Sequence, residues 1–272
     1  MFERRDLLAR LCPLFSGSSG NSIYIGSGGT GILIDVGRSA KQLEKAIKQC
    51  EIDLFSIKAI FVTHEHSDHI RGLRVFASRY GIDVYSSKGT LEALESKGGI
   101  LCDKFCAKII PKEGIYINDI FIKSFSTSHD SKESVGYIIN TGDERKITIA
   151  TDIGYISDEV RDAINGCDLL FIESNHDVNM LKSGPYPYYL KRRILSDKGH
   201  LSNEACSKEL PKFAKNGTTR FILAHLSGEN NIPELAYQTA LNSFMTAGLI
   251  EGIDFELSVA PKENVTGKSL VF

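Results

Sequence analysis

The sequence predicts an α/β (α+β) fold in which two β-sheets pack face to face and helices cover their outer faces. Short β-branched apolar runs bounded by turn residues alternate with amphipathic, capped segments along the chain. Apolar residues make up 42% of the 272 residues, which is enough for a large core. Neither a linker nor a low-complexity segment divides the chain, so we expect a single domain over residues 1–272.

The first half begins with predicted strands at "LCPLF" and "SIYIG", which the loop "SGSSGN" separates, and a third strand at "GILIDVG". Ser39 is a typical N-cap, and it predicts a helix over residues 40–50 that buries Leu43, Ala46 and Ile47. The remaining elements predicted for this half are strands at 57–63 and 82–87 and helices at 69–80 and 90–97.

The second half alternates in the same way. Strands are predicted at 107–110, 115–117, 119–126, 135–140, 146–152, 168–174, 219–226 and 254–259, the last of which finishes the fold. Helices are predicted at 157–164, around 177–182 and 188–195, after "GHLSNEAC", and at 233–248.

Composition and charge exclude several classes of function. The net charge of −2 excludes a basic field over the whole surface, so any nucleic-acid binding must use a local patch. No run approaches 18 apolar residues, and the N-terminal stretch lacks the apolar core of a signal peptide. The six cysteines form no C-x-x-C pair. We therefore expect a cytoplasmic protein with reduced thiols and no membrane segment.

The stretch "HEHSDH" is the strongest functional signal in the sequence. It places His64, His66, Asp68 and His69 directly after the apolar strand "IKAIFVT". Imidazole nitrogens and carboxylate oxygens are typical ligands of zinc, manganese and iron. A polar surface loop is the alternative interpretation, and the buried strand immediately before it disfavours that alternative.

Further ligand types stand at the ends of later predicted strands. His129 follows "FIKSFS", Asp152 ends "KITIATD" and His225 follows "RFILA". A single strand-end His or Asp is more often a cap or a core residue, but three repeats of one pattern indicate a common site. Two ions about 3.5–4 Å apart can share a hydroxide and activate it near neutral pH.

This pattern, H-x-H-x-D-H followed by His, Asp and His at later strand ends, resembles the metallo-β-lactamase-fold hydrolases over nearly the whole chain. The resemblance implies a four-layer αββα sandwich with two divalent ions, Zn²⁺ or Mn²⁺, at its edge. It implies that Asp152 bridges the ions and that Glu65 is not a ligand. The implied ligands are His64, His66 and His129 for the first ion and Asp68, His69 and His225 for the second.

Other stretches narrow the resemblance to the YycJ (WalJ) branch: "FSGSSGNS", "ESNHD", "YPYYLKRRILSDKGHLSN" and "AHLSGENN". This branch implies a bacterial 5′-to-3′ DNA exonuclease. The motifs "GHLS" and "AHLSGEN" are also similar to those of the β-CASP nucleases, where Glu173 matches an acidic motif residue. Only 47 residues separate Asp152 from His200, so the β-CASP cap domain cannot fit.

Several residues suit a phosphate substrate. His200 precedes a predicted helix start at Ser202, where the free N–H groups suit an anion, and Ser202 is a candidate substrate-binding residue. His200 could donate to a phosphate or protonate the leaving oxygen there; the alternative is that it only caps the helix or packs. Ser18, Ser19 and Asn21 lie in a turn that can cradle an anion or can be an ordinary hairpin loop.

Supporting roles are predicted for five more residues. Asp35 could orient a ligand histidine or cap a turn, and Glu173 could orient another. Lys191, Arg192 and Arg193, with the tyrosines of "YPYYLKRRI", could hold a nucleic-acid strand, or they could form a solvated helix face.

Together these features predict a dinuclear-metal phosphodiesterase with DNA as the substrate. Asp68 and His200 are its predicted catalytic residues. One alternative is a hydrolase of a small cyclic phosphodiester, lactone or thioester in the same fold. A second is a regulatory protein without activity, which the complete ligand set disfavours.

Overall fold

The computed structural model describes residues 8–272, and the first seven residues of the predicted domain lie outside this part. The strands are β1 Arg10–Phe15, β2 Ser22–Ser27, β3 Thr30–Ile34, β4 Ile57–Phe61, β5 Asp83–Ser86, β6 Ala107–Ile109, β7 Ile115–Ile117, β8 Ile120–Ser126, β9 Val135–Asn140, β10 Lys146–Ala150, β11 Leu169–Glu173, β12 Arg220–Ala224, β13 Glu256–Val259 and β14 Leu270–Val271. The α-helices are α1 Ala40–Gln49, α2 Ser67–Ile70, α3 Leu73–Tyr80, α4 Lys88–Ser96, α5 Asp158–Ile164, α6 Val178–Ser183, α7 Tyr188–Ile194, α8 Asn203–Lys215 and α9 Pro233–Thr246.

The strands form two seven-stranded sheets, ordered β14-β1-β2-β3-β4-β5-β6 and β13-β12-β11-β10-β9-β8-β7. In each sheet the strands that come first along the chain pair antiparallel, and the strands from β3 to β6 and from β10 to β13 pair parallel. The carboxyl ends of the parallel strands within a sheet therefore point to one edge.

Three apolar clusters hold the layers together. The central cluster joins the two sheets and includes Phe61, Tyr137 and Phe171. A second packs helices on the first sheet, where Phe76 is fully buried, and a third packs helices on the second sheet, where Phe244 is fully buried. The predicted αββα sandwich is therefore confirmed. The segment between Asp152 and His200 forms only α5, β11, α6 and α7, with no cap domain.

Two details differ from the predictions. The single helix predicted over 69–80 is wrong, because α2 and α3 are separated at Arg71 and Gly72. Gly72 donates its N–H to the carbonyl of Val36, and a Cβ there would lie 2.0 Å from the Arg38 carbonyl oxygen. Close contact with the 36–38 segment therefore breaks the helix.

The second difference is at the C-terminus. β13 does not finish the fold, because β14 returns to the first sheet and pairs antiparallel with β1. Two strand residues in "KSLVF" are too short a run to predict from pattern. None of the helices within residues 8–272 has the length and hydropathy needed to cross a membrane.

Candidate metal centre

The predicted ligands converge where strands of both sheets end. The loop after β4 carries His64 and His66, and the loop after β8 carries His129. Asp152 follows β10 closely and His225 follows β12 directly. Because these strand ends meet at one edge of the sandwich, residues far apart in sequence reach a common cleft.

The backbone at this edge is strained in three places. Asp35, Asp152 and His225 have φ values of +62°, +55° and +55°, each just beyond a buried strand. A non-glycine residue in this left-handed region costs about 1–2 kcal/mol, and such residues concentrate at functional sites. All three side chains are buried at the edge of the sandwich.

The side chains form overlapping groups of possible ligand atoms. Within a group, every ligand atom lies within 4.8 Å of the others. The groups are His64, His66 and His129; Asp68, His69 and His225; His64, His69 and Asp152; and Asp152, Glu173, His200 and His225. The first two coincide with the two ligand sets that the resemblance implies, and Asp152 belongs to the groups that connect them.

The donor atoms fit bound cations. Nε2 of His64 and Oδ2 of Asp152 are buried and have no hydrogen-bond partner within the described chain. Such orphaned atoms are rare in proteins and call for an ion or a water. Asp152 also reaches both sets, since its Oδ1 lies 3.8 Å from Nε2 of His129 and its Oδ2 lies 3.5 Å from Nε2 of His69.

A layer of hydrogen bonds fixes the orientation of the imidazoles. Nδ1 of His69 donates to Oδ2 of Asp35 over 2.7 Å, and the backbone N–H and hydroxyl of Thr63 donate to the same carboxylate. Nδ1 of His129 donates to the carbonyl of Gly199 over 3.0 Å. Each bond leaves Nε2 facing the cleft, as is usual for metal-binding histidines.

Glu173 fixes the orientation of two further imidazoles, those of His200 and His225. The side chain is fully buried, and its Oε1 lies 2.7 Å from Nδ1 of His200 and 3.0 Å from Nδ1 of His225. Its Oε2 accepts the backbone N–H groups of Ile153 and Leu201. Burial opposes ionisation of Glu173, but the charges and hydrogen bonds of His200 and His225 outweigh it and hold the pKa of Glu173 well below its usual range.

The histidines divide into two electrostatic types. Burial lowers the pKa of His64 well below its ordinary value and also lowers that of His129, so both present a neutral nitrogen. Burial acts the same way on His69 and His225, but carboxylates, Asp152 foremost, outweigh it. They raise the pKa of His225 to about 10 and that of His69 well above its ordinary value. A cation must therefore displace protons from these two.

The loop "SGSSGN" contacts the cleft through two of the three predicted residues. Ser18 lines the cleft, and Nδ2 of Asn21 lies 3.1 Å from Nε2 of His69 and 3.3 Å from Oδ2 of Asp68. The Ser19 hydroxyl accepts a hydrogen bond from Arg38 instead.

Gly37 makes this packing possible. A Cβ at Gly37 would lie 1.7 Å from the carbonyl oxygen of Asp68 and 2.5 Å from the backbone nitrogen of Asn21. Only a residue without a side chain lets these two loops approach each other.

The other predicted residues have varied positions. His200 lines the cleft, whereas Ser202 caps α8 by accepting the N–H of Ala205. Glu65 is buried, and its Oε1 accepts the backbone N–H of Lys132.

Lys191 and Arg192 do not line the cleft. Nζ of Lys191 donates to the carbonyls of Lys182 and Gly184, and Arg192 lies over the ring of Tyr188. The cleft is instead lined by Arg193, Tyr186, Asn175 and Ser227. The motifs "ESNHD" and "AHLSGENN" contain the last two, but a single sequence does not tell which motif positions face a cleft.

Comparison with known proteins relates the chain to one superfamily. The model of the β-lactamase superfamily domain matches residues 30–226. The chain is 40% identical over 247 residues to exodeoxyribonuclease YycJ of Bacillus anthracis, covering 90% of this chain and 92% of that protein. It is 38% identical over 252 residues to exodeoxyribonuclease WalJ of Streptococcus pneumoniae serotype 2, covering 90% and 91%.

A solved structure shows the same fold. The metallo-β-lactamase fold protein YhfI from Bacillus subtilis superposes with a TM-score of 0.70 at 13% sequence identity. The match covers 97% of this chain and 100% of that one. The sandwich described above therefore has a close counterpart among known structures.

Proposed function

The chain belongs to the β-lactamase superfamily and, within it, to the family of the exodeoxyribonucleases YycJ and WalJ, and on this basis we propose that it is a 5′-to-3′ DNA exonuclease that uses two divalent metal ions. Membership of this family, together with the cluster of ligand atoms, makes the chain a metal-dependent hydrolase. DNA as the substrate follows from the names of both relatives, and the polarity follows from the resemblance described above.

One observation carries the proposal: the buried carboxylate of Asp152 lies between two three-residue ligand groups, 3.8 Å from Nε2 of His129 in one and 3.5 Å from Nε2 of His69 in the other, and its Oδ2 has no hydrogen-bond partner within residues 8–272. We assign one ion to His64, His66 and His129, and the other to Asp68, His69 and His225. Imidazole and carboxylate ligands suit Zn²⁺ or Mn²⁺. When bound, such ions supply a nucleophilic hydroxide near neutral pH and neutralise charge on the phosphate.

The protein's own groups then position the substrate and move protons. Glu173 accepts from Nδ1 of His200, which leaves Nε2 of His200 to face the cleft. When both ring nitrogens carry a proton, Nε2 can donate to a phosphate oxygen or protonate the leaving oxygen. Asp35 and Glu173 fix the tautomers of His69 and His225.

Polar groups from the surrounding loops complete the site for a phosphodiester. Ser18, Asn175 and Ser227 line the cleft and present hydroxyl and amide groups that can bind phosphate oxygens. Outside the cleft, Tyr188 and Tyr189 are 76% and 74% exposed on α7. Exposed tyrosines of this kind can stack on the bases of an incoming single strand.

End-labelled DNA tests the proposal. Purified protein with added Zn²⁺ or Mn²⁺ is incubated with linear double-stranded DNA labelled at the 5′ or the 3′ end, and with a covalently closed circle. We expect the 5′ label to appear first, as a mononucleotide, while the circle stays intact. Early release of the 3′ label would contradict the polarity, and cleavage of the circle would contradict exonuclease action.

The small-substrate alternative is tested in the same preparation. Bis(4-nitrophenyl) phosphate, a lactone and a thioester replace the DNA. Rapid hydrolysis of one of these without any cleavage of DNA would retain the hydrolase and reject the nuclease assignment.

A further inference from the structure

Arg193 lines the same cleft as several of the proposed ligands. The cleft has a volume of about 210 Å³, and Arg193 is the only arginine or lysine that lines it within residues 8–272. Pockets for drug-sized ligands measure about 300–1,000 Å³, so this smaller cleft cannot enclose a duplex. Tyr186 and Leu190, from the segment around α7, also line it and provide apolar surface for a base or a sugar.

A carboxylate holds the guanidinium of Arg193 in place. Nε and Nη2 of Arg193 donate to the two carboxylate oxygens of Asp130, and the second of these bonds measures 2.8 Å. Oδ1 of Asp130 in turn lies 3.4 Å from Nε2 of His129 and 4.0 Å from Nε2 of His66. The carboxylate of Asp130 therefore lies between the guanidinium of Arg193 and the proposed ligands His129 and His66.

The backbone after α7 is fixed to the same loops. Nδ1 of His129 donates to the carbonyl of Gly199, and the hydroxyl of Ser128 donates to the carbonyl of Asp197. A Cβ at Gly154, two residues after Asp152, would lie 2.1 Å from the carbonyl oxygen of Asp197. The end of α7 thus has little freedom to move relative to the ligands.

The hydrogen bonds to Asp130 leave part of the guanidinium free. An arginine offers five N–H donors in a planar fork that can bind a second anion alongside the first. Asp130 uses the side formed by Nε and Nη2, and Nη1 makes no hydrogen bond to any residue in the range 8–272. The side formed by Nη1 and Nη2 has the geometry that binds two oxygens of one phosphate. The side chain is 43% exposed, so a ligand can reach it.

We propose that Arg193, positioned by Asp130, is the residue of this cleft that binds the phosphate group of the substrate's terminal nucleotide. The inference rests on the proposed phosphodiesterase function and names the group that recognises the substrate there. Arg193 binds phosphate oxygens through its free side while Asp130 prevents the guanidinium from turning away.

Binding of thymidine 5′-monophosphate, compared with thymidine, tests this inference without cleavage. Calorimetric titration of the zinc-loaded protein gives the ratio of the two affinities, which isolates the contribution of the phosphate. We expect Arg193→Gln to reduce that ratio about 10- to 100-fold, as expected for loss of a charge-assisted hydrogen bond. Arg193→Lys should restore only part of it, because a lysine cannot bind Asp130 and a phosphate in the same fork geometry.

Arg145→Gln is the matched control. Arg145 pairs with Asp168 at 3.0 Å, and the exposures of the two side chains, 43% and 29%, resemble the 43% and 31% of Arg193 and Asp130. Arg145 lies before β10, at the end opposite Asp152, so its loss should leave the ratio unchanged.

An unchanged ratio in Arg193→Gln would overturn the inference, as would a wild-type protein that binds thymidine as tightly as its monophosphate. DNA cleavage measured in parallel separates the two proposals. A ratio that depends on Arg193 without DNA cleavage rejects the exonuclease and keeps the phosphate site. DNA cleavage together with a ratio that does not depend on Arg193 keeps the exonuclease and rejects the phosphate site.

Discussion

Oε1 of Glu173 lies 2.7 Å from Nδ1 of His200, and the same oxygen also accepts a hydrogen bond from His225. One buried carboxylate therefore orients a proposed metal ligand and a proposed proton donor together. Binding of the second ion through His225 is therefore linked to the position of His200, the proposed proton donor.

Replacing Glu173 with glutamine should impair both functions. The amide nitrogen of glutamine cannot accept a hydrogen bond, so it must oppose either the two imidazole N–H groups or the backbone N–H groups of Ile153 and Leu201. The substitution also removes the negative charge beside both imidazoles. We expect metal affinity and turnover to fall about 10- to 100-fold, as is usual when such an outer partner is lost. Metal content by mass spectrometry and initial rates on labelled DNA measure the two effects.

Glu209→Gln is the control for this prediction. Glu209 lies on α8 and is 9% exposed. It pairs with Arg161 of α5 and with Lys212 of α8, and it does not line the cleft. It should lower stability slightly and leave metal affinity unchanged. Equal effects of the two variants would mean that Glu173 acts only through general stability.

His200→Ala should reduce turnover while the metal content stays near that of the wild type. His200 lines the cleft, and its Nδ1 is held by Glu173. Loss of a positioned proton donor typically costs about 10²–10⁴-fold in rate. Loss of one equivalent of metal in the purified variant would instead identify His200 as a ligand.

Metal affinity should increase with pH beyond the range in which an ordinary histidine titrates. In the metal-free protein the pKa of His225 is raised to about 10 and that of His69 is also raised. Below those pKa values the ion must displace a proton, so affinity grows about tenfold per pH unit for each proton released. Chelator competition between about pH 6.5 and 8.5 measures the slope. A plateau above about pH 7 would contradict the prediction.

Gly37→Ala should destabilise the protein and weaken metal binding. The added Cβ would lie 1.7 Å from the carbonyl oxygen of Asp68, so the loop that carries this proposed ligand must move. Overpacking of this kind typically costs about 1–3 kcal/mol. Gly228→Ala is the control, because the nearest atom to its Cβ would be Nζ of Lys262 at 3.7 Å. Thermal unfolding of both variants checks the prediction, and equal stability would contradict it.

Much of this architecture could be predicted because local signals agree with the global fold. The apolar strands and the cap at Ser39 are local features of the sequence, and both are present in the structure. The convergence of these residues could be predicted because each lies at or shortly after the end of an apolar strand, and strand ends at one sheet edge must meet. The contribution of Asp35 to the orientation of His69 follows from the same geometry.

The remaining details depend on contacts between distant segments. The break between α2 and α3 results from the packing of Gly72 against the 36–38 segment, which no local pattern reveals. In "KRRI", the pattern favours all three basic residues equally. Only the anchoring of the segment after α7 to the 128–129 loop places Arg193, and not Arg192, in the cleft.

If this cluster of histidines and aspartates cleaves DNA with bound metal, the substitution Asp68→Ala should abolish cleavage. Oδ2 of Asp68 lies 3.5 Å from Nε2 of His69 and 3.7 Å from Nε2 of His225. We measure bound metal per chain, the circular dichroism spectrum and the rate of nucleotide release from 5′-labelled DNA. We expect a folded variant that lacks one ion of two and releases no nucleotide. A folded variant with full activity, or a wild-type rate that survives complete removal of metal by a chelator, would contradict it.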